Sequence, residues 1–274
     1  MPSNAYETFG PIFAHDDPDI PVTDPIPPRF GLLDDSSTRW SDLFDRIKVL
    51  NDESPSTSYK LFFLARHGQG FHNVAESKYG TPAWDAYWSK LDGDGVLVWG
   101  PDAELTDLGK GQAQAAGQAW KTELAAGIPL PGKFYCSPLT RALSTSQITF
   151  DGIIPDDDKV VNVLENCREQ YGVHTCDKRR TRTYIATTFP DSRIEEGFAE
   201  DDPLWTPDDR ETAQHIAERA RDVLDRIFAD DPEDFILVTA HGGIINGFLA
   251  CLGRPSYSLA TGGILPVVIK STSS

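Results

Sequence analysis

The 274-residue chain alternates between short, nearly continuous apolar runs and longer stretches whose apolar residues recur every three or four positions. Lys60-Leu61-Phe62-Phe63-Leu64-Ala65 and Phe235-Ile236-Leu237-Val238-Thr239 are runs of the first kind, the pattern of strands buried on both faces. Phe134-Tyr135-Cys136, Val160 to Leu164 and Pro266-Val267-Val268-Ile269 predict further strands. Helical spacing marks Arg39 to Leu50, through Trp40, Leu43, Phe44, Ile47 and Leu50. It also marks Leu105 to about Ala126, with Thr106 as N-cap, and Ile244 to Leu252. A long helix is expected from near Pro207, capped by Thr206, with a stripe through Ile216, Ala220, Val223, Leu224 and Ile227. Ser137-Pro138 reads as a cap followed by proline at the first helical position, which puts Arg141 in a first helical turn at a strand end. Strands alternating with helices imply an α/β fold, a three-layer α/β/α sandwich on a mostly parallel central sheet, with ligands bound outside the carboxyl ends of the strands.

Two regions depart from this rhythm. Residues 1 to about 37 are rich in Pro and Asp, so an extended arm without regular structure is expected over the surface; the arm and the helix after it make up residues 1–58. Within the remaining 59–274, an insertion at about 75–104 is aromatic and glycine-rich, with Trp84, Tyr87, Trp88 and Trp99. It reads either as a lid or as aromatics packing the insertion onto the body.

Composition narrows the function. A formal net charge of −17 opposes encounter with nucleic acid or an anionic membrane. No apolar run is long enough to span a bilayer. Four cysteines (Cys136, Cys167, Cys176, Cys251) without a basic, apolar leader fit a reducing compartment, so a soluble cytoplasmic or nuclear protein is expected. Cys167, His174 and Cys176 lack paired ligand spacing and a fourth ligand, so no metal or other cofactor is expected. No Gly-x-Ser-x-Gly elbow occurs.

The chemistry concentrates at strand ends. Arg66-His67-Gly68 follows one buried strand and Ala240-His241-Gly242-Gly243 another; Arg141 begins a helix, and Arg168-Glu169 offers an acid. Arginines that fork onto phosphate oxygens, beside a histidine able to attack phosphorus, suit phosphoryl transfer. With Asn73, these residues resemble the histidine phosphatase superfamily, which includes cofactor-dependent phosphoglycerate mutase, over roughly Lys60 to Lys270. The stretches Arg66-His67-Gly68-Gln69-Gly70-Phe71-His72-Asn73, Gly172-Val173-His174-Thr175-Cys176-Asp177-Lys178-Arg179 and Trp205-Thr206-Pro207-Asp208-Asp209-Arg210 look most like a fungal branch of phosphoglycerate mutase-like proteins.

The resemblance implies His67 as nucleophile, Arg66, Arg141 and His241 as the cationic cradle, and Glu169 as the proton carrier, with Glu165 as its rival. Asn73 either binds phosphate or holds the loop after His67; Gly242 lies beside the second histidine. His72 is left outside the catalytic set. Lys178, Arg179 and Arg180 form the dense basic cluster of an acidic chain and read either as a substrate-binding set or as a solvated face. Gly242-Gly243 follows the second histidine, where close relatives are expected to carry a serine. The leading expectation is a phosphomonoester hydrolase acting on a small phosphate ester through phosphohistidine. A phosphomutase, a pathway enzyme using the same pocket for non-phosphate chemistry, and an inactive module are the alternatives.

Overall fold

The buried runs assemble side by side in the computed structural model, which describes residues 4–17, 19–20, 23–155 and 160–273. Among these residues the strands are β1 (Ala5–Thr8), β2 (Thr57–Arg66), β3 (Lys133–Cys136), β4 (Val161–Val163), β5 (Ser192–Ile194), β6 (Phe235–Ala240) and β7 (Ile264–Thr272). They form one sheet in the order β1-β7-β2-β6-β3-β4-β5. The pairs from β2 to β5 are parallel, and β7 runs antiparallel to both β1 and β2. The helices are α1 (Arg39–Glu53), α2 (Phe71–Tyr79), α3 (Thr81–Ala86), α4 (Asp107–Ala125), α5 (Thr140–Thr149), α6 (Arg182–Thr188), α7 (Ala213–Asp230) and α8 (Gly242–Cys251).

Alternate residues of the two central strands feed opposite cores. Phe62, Leu64, Ile236 and Val238 pack with the apolar stripes of α7 and α8. Leu61, Phe63, Phe235 and Leu237 pack with α1 and α4 through Trp40, Ile47, Ala116 and Trp120. That double burial is why these strands read as unbroken apolar runs, and it makes the predicted three-layer sandwich. Glu123 ties two helices of the second layer, accepting from Trp40 Nε1 at 2.8 Å and Arg39 Nη2 at 2.9 Å.

Several expectations need correction. The arm contains β1, paired with β7 from Ala5↔Thr272 to Thr8↔Ile269. Its Phe13 and Phe30 lie in the core rather than on the surface. A four-residue strand has too few positions for alternation to be legible, and its existence depends on the edge of β7. The expectation of irregular structure at 1–3, 18 and 21–22 lies outside the described residues. The long helix begins at Ala213, capped by Thr212, whose hydroxyl accepts from His215 N. Residues 206–211 instead run beside 171–173, with Val173 N donating to Thr206 O at 2.8 Å and Glu211 N to Tyr171 O at 3.0 Å. The helix carrying Arg141 begins at Thr140, not Pro138; the Asp102 carboxylate accepts from Thr140 N at 2.9 Å and Thr140 Oγ1 at 2.6 Å, while Ser137 Oγ accepts from Leu139 N at 3.2 Å, just before the helix. The segment after His67, read as a loop, continues into α2. In the insertion, Trp84 and Trp99 are buried with Ala75, Ala103 and Cys176, so these two tryptophans pack. Among the described residues no helix is long and apolar enough to cross a membrane.

Candidate active site

Sheet register brings the two histidines together. β2 and β6 are parallel with Arg66 opposite Ala240, so His67 and His241 leave the sheet side by side, their rings 4.9 Å apart between centroids. Cys136 pairs with Thr239, which delivers Ser137 to the same edge, where its hydroxyl lies 2.7 Å from His241 Nε2. The chain then turns at Gly68, pressed so closely on α4 that a Cβ there would sit 2.3 Å from Gly109 O. Only glycine permits that approach. The Gly68 N–H donates to Thr145 Oγ1 of α5, and Thr145 in turn donates to Arg141 O.

His67 is 1% exposed, and its Nδ1 lies 2.6 Å from Gly68 O. A carbonyl can only accept, so the proton resides on Nδ1 and Nε2 carries the free lone pair. Burial, reinforced by the charges of Arg141 and Arg66, holds the ring's pKa well below the usual histidine range. The ring is therefore neutral at neutral pH and able to act as a nucleophile. His241 and His72 are likewise held neutral, chiefly by burial and then by Arg141.

A cavity of about 580 Å³ opens over His67. Arg66, Arg141 and Glu169 line it together with Asn73. Asn73 also accepts from Gly70 N at 2.9 Å and so holds the loop after His67 at the start of α2. Arg66 Nη1 donates to Leu259 O at 2.6 Å; Arg141 donates to Cys176 O at 2.7 Å and to Asp177 Oδ1 at 2.8 Å. Among the described residues, Arg66 Nε, Arg141 Nε, His72 Nδ1 and His241 Nδ1 are buried without a hydrogen-bond partner. Buried polar atoms are rarely left unpaired; others lie elsewhere in the fold, but Arg66, Arg141 and His72 line the cavity with His67, and the His241 ring lies against that of His67.

Glu169 Oε1 accepts from Gln170 N at 2.9 Å and Oε2 from Gly243 N at 3.2 Å, at the start of α8. Its rival Glu165 is outside the cavity lining, with its carboxylate engaged by Arg168 and Arg179, each at 2.9 Å. His241 and Gly242 sit behind the lining rather than in it; Gly242 backs onto the Arg66 guanidinium.

The structure does not bring the basic cluster to the cavity. Arg179 is buried against Glu165 and four backbone carbonyls. Lys178 lies over the Trp205 ring and Arg180 over Tyr184. The lining cation that sequence reasoning left without a role is Arg210, whose Nη1 donates to Gln170 O, Gly172 O and Asp177 Oδ2. Asp177 thus braces both Arg141 and Arg210. Burial alone would push its carboxyl up, but those two guanidinium groups outweigh it and hold it below the usual range. Its pairing with Arg141 spans 36 positions and with Arg210 spans 33, so no local pattern announces it. His72, Glu76, Trp84, Asp85 and His174 are also among the lining residues.

His174, Cys176 and Asp177 offer ligand atoms within 4.8 Å of one another. Both Asp177 oxygens already hold arginines, and burial pushes the Cys176 thiol well up. Neutral thiol and adjacent guanidinium groups suit an anion better than a cation.

The sequence profile of the histidine phosphatase superfamily (branch 1) matches residues 62–261. A protein of Arthroderma benhamiae named probable phosphoglycerate mutase is 41% identical, over 98% of this chain and 85% of its own length. Phosphomutase-like protein 3 of Candida albicans is 38% identical, over 96% of this chain and 79% of its own. Among solved structures, a mycobacterial glucosyl-3-phosphoglycerate phosphatase is 21% identical, over 78% of this chain and 98% of that one, with a TM-score of 0.47. With its profile match running from β2 past α8 and such relatives along nearly its whole length, the chain belongs to the histidine phosphatase superfamily, branch 1.

Proposed function

We propose that this protein hydrolyses phosphomonoesters of small molecules through a phosphohistidine formed at His67. The observation that carries the reading is the pair of guanidinium groups that line the cavity with His67, Arg66 and Arg141, each with a buried Nε that has no hydrogen-bond partner. A phosphoryl group would give such groups the partners they lack and be stabilised by them, most strongly as charge spreads over its equatorial oxygens. The lone pair on His67 Nε2 attacks phosphorus, forming an N–P bond as the ester P–O bond breaks. Glu169, protonated, gives its proton to the departing alkoxide. As the carboxylate, it then takes a proton from water, which attacks the phosphohistidine and releases inorganic phosphate.

Hydrolysis is favoured over transfer to a second hydroxyl because water can reach the rim, where the Asp85 side chain is 58% exposed. The mutase names of the relatives support phosphoryl transfer in general. Free thiols at Cys136, Cys167, Cys176 and Cys251 support a reducing setting, the cytoplasm or nucleus. The test is phosphate release from para-nitrophenyl phosphate. Wild type releases it, and His67→Ala loses on the order of 10⁴-fold or more in kcat. Comparable release by the variant would sink the mechanism.

A further inference from the structure

Gly243 stands at the second position of α8, within the helix and with no positive φ to require glycine. Alanine would be the better helix former there. The local rule is therefore broken, and the reason lies across the cavity. A Cβ at this position would fall 2.0 Å from Glu169 Oε1 and 3.1 Å from its carboxyl carbon. Glu169 occupies the volume that a side chain at 243 would fill, and its other oxygen accepts the Gly243 N–H.

The backbone under Glu169 has little freedom to retreat. Arg219 Nη1 donates to Asn166 O at 2.8 Å and Arg168 O at 3.1 Å, and Arg219 Nη2 donates to Glu169 O at 3.3 Å. Arg219 is itself 3% exposed and clamped by Glu211. Any side chain at 243 must therefore be met by rotation of the Glu169 side chain away from the α8 N-terminus.

We infer that Gly243 is the positioning residue for the proton carrier: its missing side chain makes the seat in which the Glu169 carboxylate is held, and its N–H anchors that carboxylate. The inference rests on the proposed role of Glu169 for its catalytic consequence, whereas the steric relation stands apart from it. The consequence is selective. An ester whose leaving group is a stable anion departs without a proton, whereas an alkoxide needs one, so displacement of the acid penalises poor leaving groups.

The experiment compares wild type and Gly243→Ala on para-nitrophenyl phosphate and on β-glycerophosphate, reading kcat/KM, which reports the first chemical step. The variant is expected to fold with an unchanged or raised melting temperature. On β-glycerophosphate kcat/KM should fall on the order of 10²-fold, the scale of a displacement of about 1 Å in a catalytic group. On para-nitrophenyl phosphate it should fall less than about threefold, tracking Glu169→Gln in both cases. A crystal structure of the variant should place the Glu169 carboxylate off the position-243 N–H. Equal losses on both esters, or a carboxylate unmoved in the variant, would overturn the inference. If wild type cleaves neither ester while the variant structure shows the carboxylate displaced, the positioning role stands and the hydrolase reading falls.

Discussion

The floor of the cavity and its outer wall are held in place by different means. At the floor, Arg66 and His67 leave the end of β2, His241 leaves the end of the neighbouring β6 level with His67 and just behind the lining, and Arg141 sits in the first turn of α5. Arg66 and the two histidines take their positions from the ends of buried strands, and Arg141 takes its position from α5. In the wall, Arg210 and Glu169 lie on loops and Asp177 ends a 3-10 turn over Thr175–Asp177, joined by contacts such as Arg210 to Gln170 O and Glu211 N to Tyr171 O. The wall holds its shape through ion pairs and backbone acceptors rather than through a sheet. On the proposed reading, the floor would hold the phosphoryl group common to all phosphomonoesters, and the wall would meet whatever distinguishes one ester from another. The two meet at Asp177, which grips one arginine of each.

That junction is where the comparison breaks most visibly. Asp177→Asn removes the charge that compensates Arg141, a guanidinium with 1% of its side chain exposed. Removing one member of a buried ion pair costs about 3–5 kcal/mol. Denaturant unfolding should register that loss, and kcat/KM on any phosphate ester should drop with it as Arg141 and Arg210 lose their shared brace. Full stability in the variant would mean that the wall and floor are independent.

The smallest effect is expected at Lys178. Its ammonium lies over Trp205, 4.8 Å from the ring centroid, outside the cavity lining. Lys178→Ala should leave KM within about twofold for a small ester and the unfolding midpoint nearly unchanged, as for most exposed substitutions. A large rise in KM measured with β-glycerophosphate would extend the substrate-binding wall to the basic cluster.

The same division governs how much could be read from the sequence. Strand ends are local signals: an apolar run followed by Arg66-His67-Gly68 or His241-Gly242 states both the element and where it delivers its residue. Thr106 and the aromatic-apolar spacing of α1 were legible for the same reason. The wall depends on residues far apart in sequence, and there composition misled. Lys178-Arg179-Arg180 is conspicuous, yet Arg179 is consumed by Glu165 and the carbonyls of the 199–201 stretch. Arg210, isolated among aspartates, is the residue that lines the cavity. Helix starts were misplaced where a distant carboxylate or strand-like pairing overrode a plausible cap: Asp102 serves α5 in place of Ser137, and 206–211 is drawn out along 171–173 before α7 begins. In the sequence, Gly242-Gly243 stands out only as a departure from an expected serine. The relation of Gly243 to Glu169 spans 74 positions and becomes visible only in space.

The central claim is that His67 Nε2 carries the phosphoryl group between ester and water. It is tested most directly by rapidly quenching Glu169→Gln during turnover of para-nitrophenyl phosphate and mapping phosphorylated peptides by mass spectrometry under neutral conditions that preserve phosphohistidine. The leaving group needs no acid, whereas the attacking water has lost its base, so the intermediate should accumulate. The account predicts an acid-labile phosphoryl group on the peptide containing His67 and its absence in a variant that also carries His67→Ala. Continued phosphate release with His67 unmodified throughout would contradict it.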